Sequence, residues 1–195
     1  MNNGQLTADV KKLMDGLGEL PESTTSPALI VVSGLPGSGK SYFSRRLAER
    51  MPLPIIESDA MRRILATRPD YSHGESERLF RACHALISDL LRRGLSIIFD
   101  ATNLIEYHRE QLYRIADNAG AKLILVRVEA TPELVQQRLE QRRNGVDPND
   151  KSDADWKVYR KMTATAEKIR RNHFAVDTSK DIAPAIEKIV REVRR

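Results

Sequence analysis

Residues Gly34 to Ser41 read G-L-P-G-S-G-K-S. Their types and spacing suit a polyphosphate. Gly34, Gly37 and Gly39 carry no Cβ, so backbone N–H groups can turn inward around phosphate oxygens. Pro36 stiffens the turn. Lys40 reaches the outer phosphates, and Ser41 offers a hydroxyl to a divalent cation. The expected cradle runs through Gly34, Leu35, Pro36, Gly37, Ser38, Gly39, Lys40, Ser41 and Tyr42. An apolar run, A-L-I-V-V, precedes the octapeptide and a helical pattern follows it. Strand, glycine loop and helix are the setting a phosphate-binding loop requires. The helix N-terminus also points its positive dipole end at the same phosphates.

Three further groups suit phosphoryl chemistry. Asp100 ends the apolar run L-S-I-I-F. A carboxylate there holds Mg²⁺ directly or through water; the alternative is an Asp that caps the next loop. Asp59 and Arg62 stand one helical turn apart. Asp59 would accept a proton from an acceptor hydroxyl late in the transfer, since a free carboxyl of pKa ~3.9 cannot remove it beforehand. Arg62 would hold a phosphate on the acceptor or neutralise transferred charge. From spacing alone, an exposed ion pair explains these two residues equally well. Arg138 and Arg142 share one helix face, with Arg143 beside them. They would close over a triphosphate as arginine fingers do, or form a solvated basic helix end. The histidines at 73, 84, 108 and 173 show no metal-ligand spacing. Trp156 and Tyr159 read as packing groups.

These residues need positioning. Apolar runs at 28–32, 53–57, 95–99, 122–128 and 174–176 read as strands, each separated from the next by a helical pattern. Alternation of that kind predicts a parallel sheet covered by helices on both faces. Ligands then bind beyond the carboxyl ends of the strands, where the glycine loop, Asp59, Asp100 and Glu129 fall. Expected helices include one from about Asp59 capped by Ser58, one over Ser76–Arg93 stopped by Gly94, and one over Glu106–Ala119 stopped by Gly120. Thr131 with Pro132 starts another. A last pair covers about Ser152–His173, from a capping-box pattern, and Ala183–Val193. Residues 1–27 read as an attached segment outside the core: a short amphipathic helix, then the linker P-E-S-T-T-S-P. The domain is expected over 28–195.

The chain has 195 residues, 41% apolar and 30% charged, a composition for one globular domain. No apolar run approaches the ~20 residues of a membrane span, and the N-terminus lacks the pattern of a signal peptide. The lone Cys83 excludes an internal disulfide and fits a reducing cytoplasm. Net charge is +5, with 22 Arg to 10 Lys, which favours a phosphorylated ligand without establishing nucleic acid.

Taken together, G-L-P-G-S-G-K-S, E-S-D-A-M-R-R-I-L, L-L-R-R-G-L-S-I-I-F-D-A-T-N, R-L-E-Q-R and S-D-A-D-W-K-V-Y resemble the P-loop kinase family that includes the polynucleotide 5′-hydroxyl kinases. Zeta toxins, gluconate kinase and adenylylsulfate kinase look like more distant cousins. The resemblance covers about Leu29 to Val193. It implies an α/β fold with a five-stranded parallel sheet in order 2-3-1-4-5 and a small helical lid over about 138–152. It implies ATP and Mg²⁺ as cofactors. By resemblance Asp59 is the acceptor-hydroxyl carboxylate, Arg62 its neighbouring arginine, and Arg138 and Arg142 the lid arginines, with Arg143 able to replace Arg142. Asp100 is the acid after the third strand, and Asn103 and Arg109 lie near the acceptor. The expected activity is transfer of the γ-phosphoryl group to a hydroxyl of a nucleic acid, sugar or other small molecule. ATP is not distinguished from GTP. The rival is a nucleotide-dependent switch signalling to a protein through the N-terminal helix.

Overall fold

The computed structural model describes residues 3–143 and 154–195. Expectations that fall on residues 144–153, the outer part of the lid and Ser152, lie outside the described residues. The elements in chain order are α1 (Asn3–Asp15), β1 (Ala28–Ser33), α2 (Lys40–Arg50), β2 (Ile55–Glu57), α3 (Ser58–Leu65), α4 (His73–Arg92), β3 (Ile97–Asp100), α5 (Glu106–Asn118), β4 (Lys122–Glu129), α6 (Pro132–Arg143), α7 (Trp156–Thr165), β5 (Phe174–Asp177) and α8 (Ala183–Arg194). The strands form one parallel sheet in the order β2-β3-β1-β4-β5.

Side chains alternate across the sheet, as the two-residue strand period demands. Leu29, Val31, Ile97, Phe99 and Leu125 face a core built with α1, α3, α4 and α5. Ile30, Val32, Ile98, Ile124, Val126 and Val128 face a second core closed by α2 and α8. Both faces are dry, so β1 is apolar along its length and buried at every position. The register sets Val32 beside Asp100, and Asp100 beside Glu57. Three strand ends therefore meet at one rim.

Several boundaries differ from expectation. The long helix α4 starts at His73, because the Ser72 hydroxyl accepts the Glu75 amide at 3.2 Å and caps it. Ser58 lies inside α3 rather than capping it; Glu57 is the cap position and makes no side-chain cap bond. Helix α7 stops at Thr165 instead of about His173. Beyond it, the Glu167 amide donates to Leu104 O at 2.9 Å, and Arg109 claims the carbonyls of Glu167 and Lys168. Those bonds hold 166–168 out of the helix. Gly94 and Gly120 take positive φ just past α4 and α5, as the two expected stops require.

The reading of the N-terminal stretch as lying outside the core does not hold for α1. Leu13 is fully buried in the larger core, with Leu6, Val10, Met14 and Leu17 packed around it. Asp9 is buried against α4, where Arg78 grips its carboxylate at 2.6 and 2.7 Å. The Arg78 hydrogen bond holds the Asp9 carboxyl below its ordinary range. The sequence carries the amphipathic stripe of α1 but not the arginine that receives it, 69 residues away. The expected linker is also pinned: Thr24 N donates to Gly94 O at 2.7 Å, and Lys122 N donates to Pro27 O at 2.8 Å. Among the described residues no helix is long and apolar enough to cross a membrane.

Two measurements test this packing. Leu13→Ala removes a fully buried side chain, so urea denaturation is expected to show a loss of about 2–5 kcal/mol; a change under 1 kcal/mol would mean α1 is only loosely attached. His84 lies half-buried between Phe80 and Phe99. Burial, reinforced by the nearby His108, lowers its pKa from 6.5 to about 4, against an opposing hydrogen bond with Gln111. The unfolded chain therefore takes up this proton first, and stability falls as pH drops from about 6.5 toward 4. His84→Gln is expected to flatten that part of the stability profile by an amount on the order of 2 kcal/mol.

Candidate active site

The glycine loop is held from three sides. On the β3 side, the Ser33 hydroxyl donates to Thr102 O at 3.1 Å and to Asn103 O at 3.0 Å. Gly34 N donates to Thr102 O at 3.1 Å, and Asn103 Nδ2 donates to Val32 O at 2.8 Å. A Cβ on Gly34 would fall 2.3 Å from Val128 O, so no other residue fits there without moving β4. On the β5 side, the Thr178 hydroxyl donates to Ser38 O at 2.7 Å and receives Arg138 Nη1 at 2.8 Å. From above, Val135 and Leu139 of α6 close over Gly37. Gly39 enters α2 at φ 91°, a left-handed turn that lets the following amides face the loop interior.

Lys40 lies beneath this loop, and its ammonium donates to Leu35 O at 3.1 Å. Burial lowers its pKa; Asp100 and then Asp59 oppose that shift, and Glu57 adds to them, while Arg142 reinforces it. Carboxylates from the ends of β2 and β3 and from the start of α3 thus share one field with Lys40. Asp100 is 2% exposed. Burial raises its pKa, with Lys40 as the main counterweight. Among the described residues its Oδ2 has no hydrogen-bond partner. The Ser41 hydroxyl donates to Glu57 Oε1 at 3.3 Å.

This donor set fits a divalent cation held jointly by protein and phosphate. Among the described residues no three His, Cys, Asp or Glu side chains gather into a metal cage. Mg²⁺ needs none, because it takes one or two protein oxygens and completes its shell with water and phosphate. The orphaned Asp100 Oδ2 and the Ser41 hydroxyl are the oxygens that match.

The sequence-expected residues divide into two groups. Lys40, Ser41, Asp59, Asp100 and Arg142 come together around the loop, the last recognised by its effect on Lys40. Tyr42 is half-exposed at the mouth of the loop. Four others are placed differently. Arg62 is 7% exposed, ion-paired to Glu75, with the Tyr71 ring 4.7 Å over its guanidinium. It is neither an exposed pair with Asp59 nor open to an acceptor. Arg138 does not reach into the cradle; it bonds Gly37 O at 3.2 Å and Thr178 Oγ1 and O, bracing the loop from outside. Arg109 is 1% exposed and holds Glu106, Asn103 O and the 167–168 backbone. Asn103, at φ 45°, is the strut between Val32 and the β3 loop. Arg143 ends α6, and its side chain is outside the described residues.

Sequence reasoning missed Glu57 and Thr178. Glu57 was findable: it ends a strand beside Asp100, as a carboxylate at a strand's carboxyl end should. Thr178 carried no signal, since its contact to Ser38 spans 140 residues.

Known proteins share this arrangement. The chain is 27% identical over 139 residues to rat 6-phosphofructo-2-kinase/fructose-2,6-bisphosphatase 1, covering 63% of this chain and 30% of that protein. It is 27% identical over 112 residues to L-seryl-tRNA(Sec) kinase of Methanococcus maripaludis, covering 56% of this chain and 44% of that one. The chain thus spans less than half the length of these relatives. Among solved structures, the APS kinase of Mycobacterium tuberculosis in complex with AMPPNP and APS superposes with TM-score 0.62 at 16% identity, over 88% of this chain and 100% of that one; this likeness is one of fold. Residues 29–169, more than half of the chain, match the family described as an AAA domain, and with the glycine loop and the 2-3-1-4-5 sheet the chain belongs to that family of P-loop kinases.

Proposed function

We propose that the protein is an ATP- and Mg²⁺-dependent phosphotransferase that moves the γ-phosphoryl group to a hydroxyl of an acceptor. The observation that carries this reading is the shared field of Lys40, Asp59 and Asp100 at one rim of the sheet. Relatives carry kinase names with different acceptors, which supports the reaction class and leaves the acceptor open.

The roles follow from placement. The amides from Gly37 to Ser41 bind and orient the phosphates, and Lys40 neutralises charge on the outer ones. Ser41 and Asp100 would hold Mg²⁺, which when bound neutralises the β- and γ-oxygens and sets their geometry. Asp59 orients the acceptor hydroxyl and accepts its proton as the new bond forms. Arg142 stabilises charge on the group in transfer, and Arg138 keeps the loop in shape. Val135 and Leu139 exclude water from the loop's outer side. The rival switch reading needs an apolar helix face for a partner; in α1 that face is already covered by the core.

The variants separate these roles. Asp59→Asn is expected to lower kcat by roughly 10²–10⁴ while ATP affinity stays within about twofold; collapse of ATP binding would reassign Asp59 to the nucleotide. Lys40→Ala is expected to abolish transfer with the fold intact by circular dichroism. Arg142→Ala should cut kcat by roughly 10² or more. Arg138→Ala should instead weaken nucleotide binding and lower Tm with kcat largely kept, as measured by dye-monitored melting with and without ADP. Loss of kcat in the Arg138 variant at unchanged affinity would return that residue to the transfer step.

A further inference from the structure

The stretch from α7 to the start of β5 is unlike the rest of the surface. Residues 156–173 hold Lys157, Arg160, Lys161, Lys168, Arg170 and Arg171 against one acid, Glu167. Their net charge of +5 equals that of the whole chain, so every other residue together balances to zero.

The structure leaves this charge facing water. Lys157, Arg160 and Lys161 share the outer face of α7 and are exposed. Its inner face is fixed: Tyr159 packs on Val135 and Leu139, and Trp156 stacks on Tyr159 at 4.7 Å. Ile169 inserts into the larger core, leaving Lys168 and Arg170 exposed on either side of it. Arg171 lies over the Tyr113 ring at 4.3 Å. Glu167, the one acid, is turned toward α5: its carboxylate accepts the Glu106 amide at 2.7 Å. Asp155, just before the stretch, is the α7 cap. Among the described residues Lys157, Arg160, Lys161, Lys168 and Arg170 have no ion pair.

The stretch is also tied to the candidate active site. Its backbone is stitched at Glu167 and Lys168 to Leu104 and Arg109, in the segment that follows Asp100. The cationic stretch is therefore anchored to the segment after β3, whose Thr102 carbonyl accepts the Gly34 amide of the glycine loop.

We propose that Lys157, Arg160, Lys161, Lys168 and Arg170 form a track for the phosphate backbone of a nucleic-acid strand, and that this strand carries the acceptor hydroxyl. The second half of the proposal rests on the phosphotransferase reading; the track itself does not. Along α7, Arg160 and Lys161 lie about 4.5 and 6 Å of axial rise beyond Lys157, the scale of one nucleotide step. An acidic protein is a poorer occupant. Protein interfaces are anchored by buried aromatic residues, and the two aromatic residues of this stretch are turned into α6.

The test uses the full chain and a fluorescein-labelled 20-nucleotide single-stranded RNA, with anisotropy read across a KCl series. Five phosphate contacts predict a slope of log K against log[salt] of roughly −3.5. Lys157→Ala/Arg160→Ala/Lys161→Ala removes three of them; the slope is expected to fall to roughly −1.4, with binding weakened at least tenfold at 100 mM salt. ADP affinity should not change, and a control triple change on α8, at Lys188, Arg191 and Arg194, should leave RNA binding intact. A flat salt dependence, or equal binding by the ridge variant, overturns the track. Poly-glutamate binding as tightly as RNA, with the same loss in the ridge variant, overturns the nucleic-acid assignment in favour of an acidic protein. Phosphoryl transfer separates the two readings. RNA bound through the ridge but never phosphorylated leaves the track and sinks its acceptor role. Phosphorylation of a small hydroxyl compound without RNA binding leaves the phosphotransferase and sinks the track.

Discussion

A lysine held under a glycine loop among carboxylates is the constraint from which the rest of this structure follows. Taking an ammonium out of water costs several kcal/mol unless opposite charge is close. Lys40 finds it in Asp100 and Asp59, with Glu57 beyond. The same arrangement burdens Asp100, whose carboxyl is pushed upward by burial and held down chiefly by Lys40. Neither group is at rest as a simple ion pair, and among the described residues Asp100 Oδ2 makes no hydrogen bond within normal distance, although the Ser41 and Ser44 hydroxyls lie close enough to help hold its pKa down. Under the proposed function, a polyphosphate with its cation would supply what both lack. The unfavourable placement of these two groups would then become affinity for the ligand, which is how perturbed groups come to cluster at functional sites.

That arrangement needs the sheet order. With β3 between β1 and β2, the loop after β1 lies one strand from Asp100 and two from Glu57. Helix α3 begins directly after Glu57, so Asp59 enters within two residues of the rim. A consecutive strand order would put β2 beside β1 and move Asp100 a strand further from the loop. The loop itself is braced before any ligand arrives, by Asn103 on one side and by Thr178 with Arg138 on the other. Donors fixed in advance do not have to be ordered when the phosphates bind, and that lowers the cost of binding.

What the sequence revealed and what it hid have one physical cause. Features written in the backbone were legible: the octapeptide, the apolar strands, the alternation with helices, and the glycines that end α4 and α5. Each depends on residues a few positions apart. The arginines were not legible, because a guanidinium's role depends on its partner. Arg62 finds Glu75, Arg109 finds Glu106 and Glu167, and Arg138 finds Thr178 40 residues on. The resemblance placed all three near ligands, and burial placed them in the framework. The amphipathic stripe of α1 was visible too, but the core that receives it, and Arg78 that neutralises Asp9, come from α4. Glu57 was missed although the rule that found Asp100 applies to it equally.

The same distinction explains why the nucleotide half of the site is readable and the acceptor half is not. Phosphates are bound by amides, and amides are placed by glycines and by a helix start, which leave a fixed spacing in any chain that uses them. An acceptor is bound by side chains carried on helices and loops around the rim, whose identities the fold does not constrain. Here Arg62 is buried in an ion pair with Glu75, whereas the cations of the α7 ridge are exposed. The first cation is neutralised within the fold, and the ridge is not. Under the proposal above, it is these exposed cations of residues 157–170 that would attract a polyanionic acceptor.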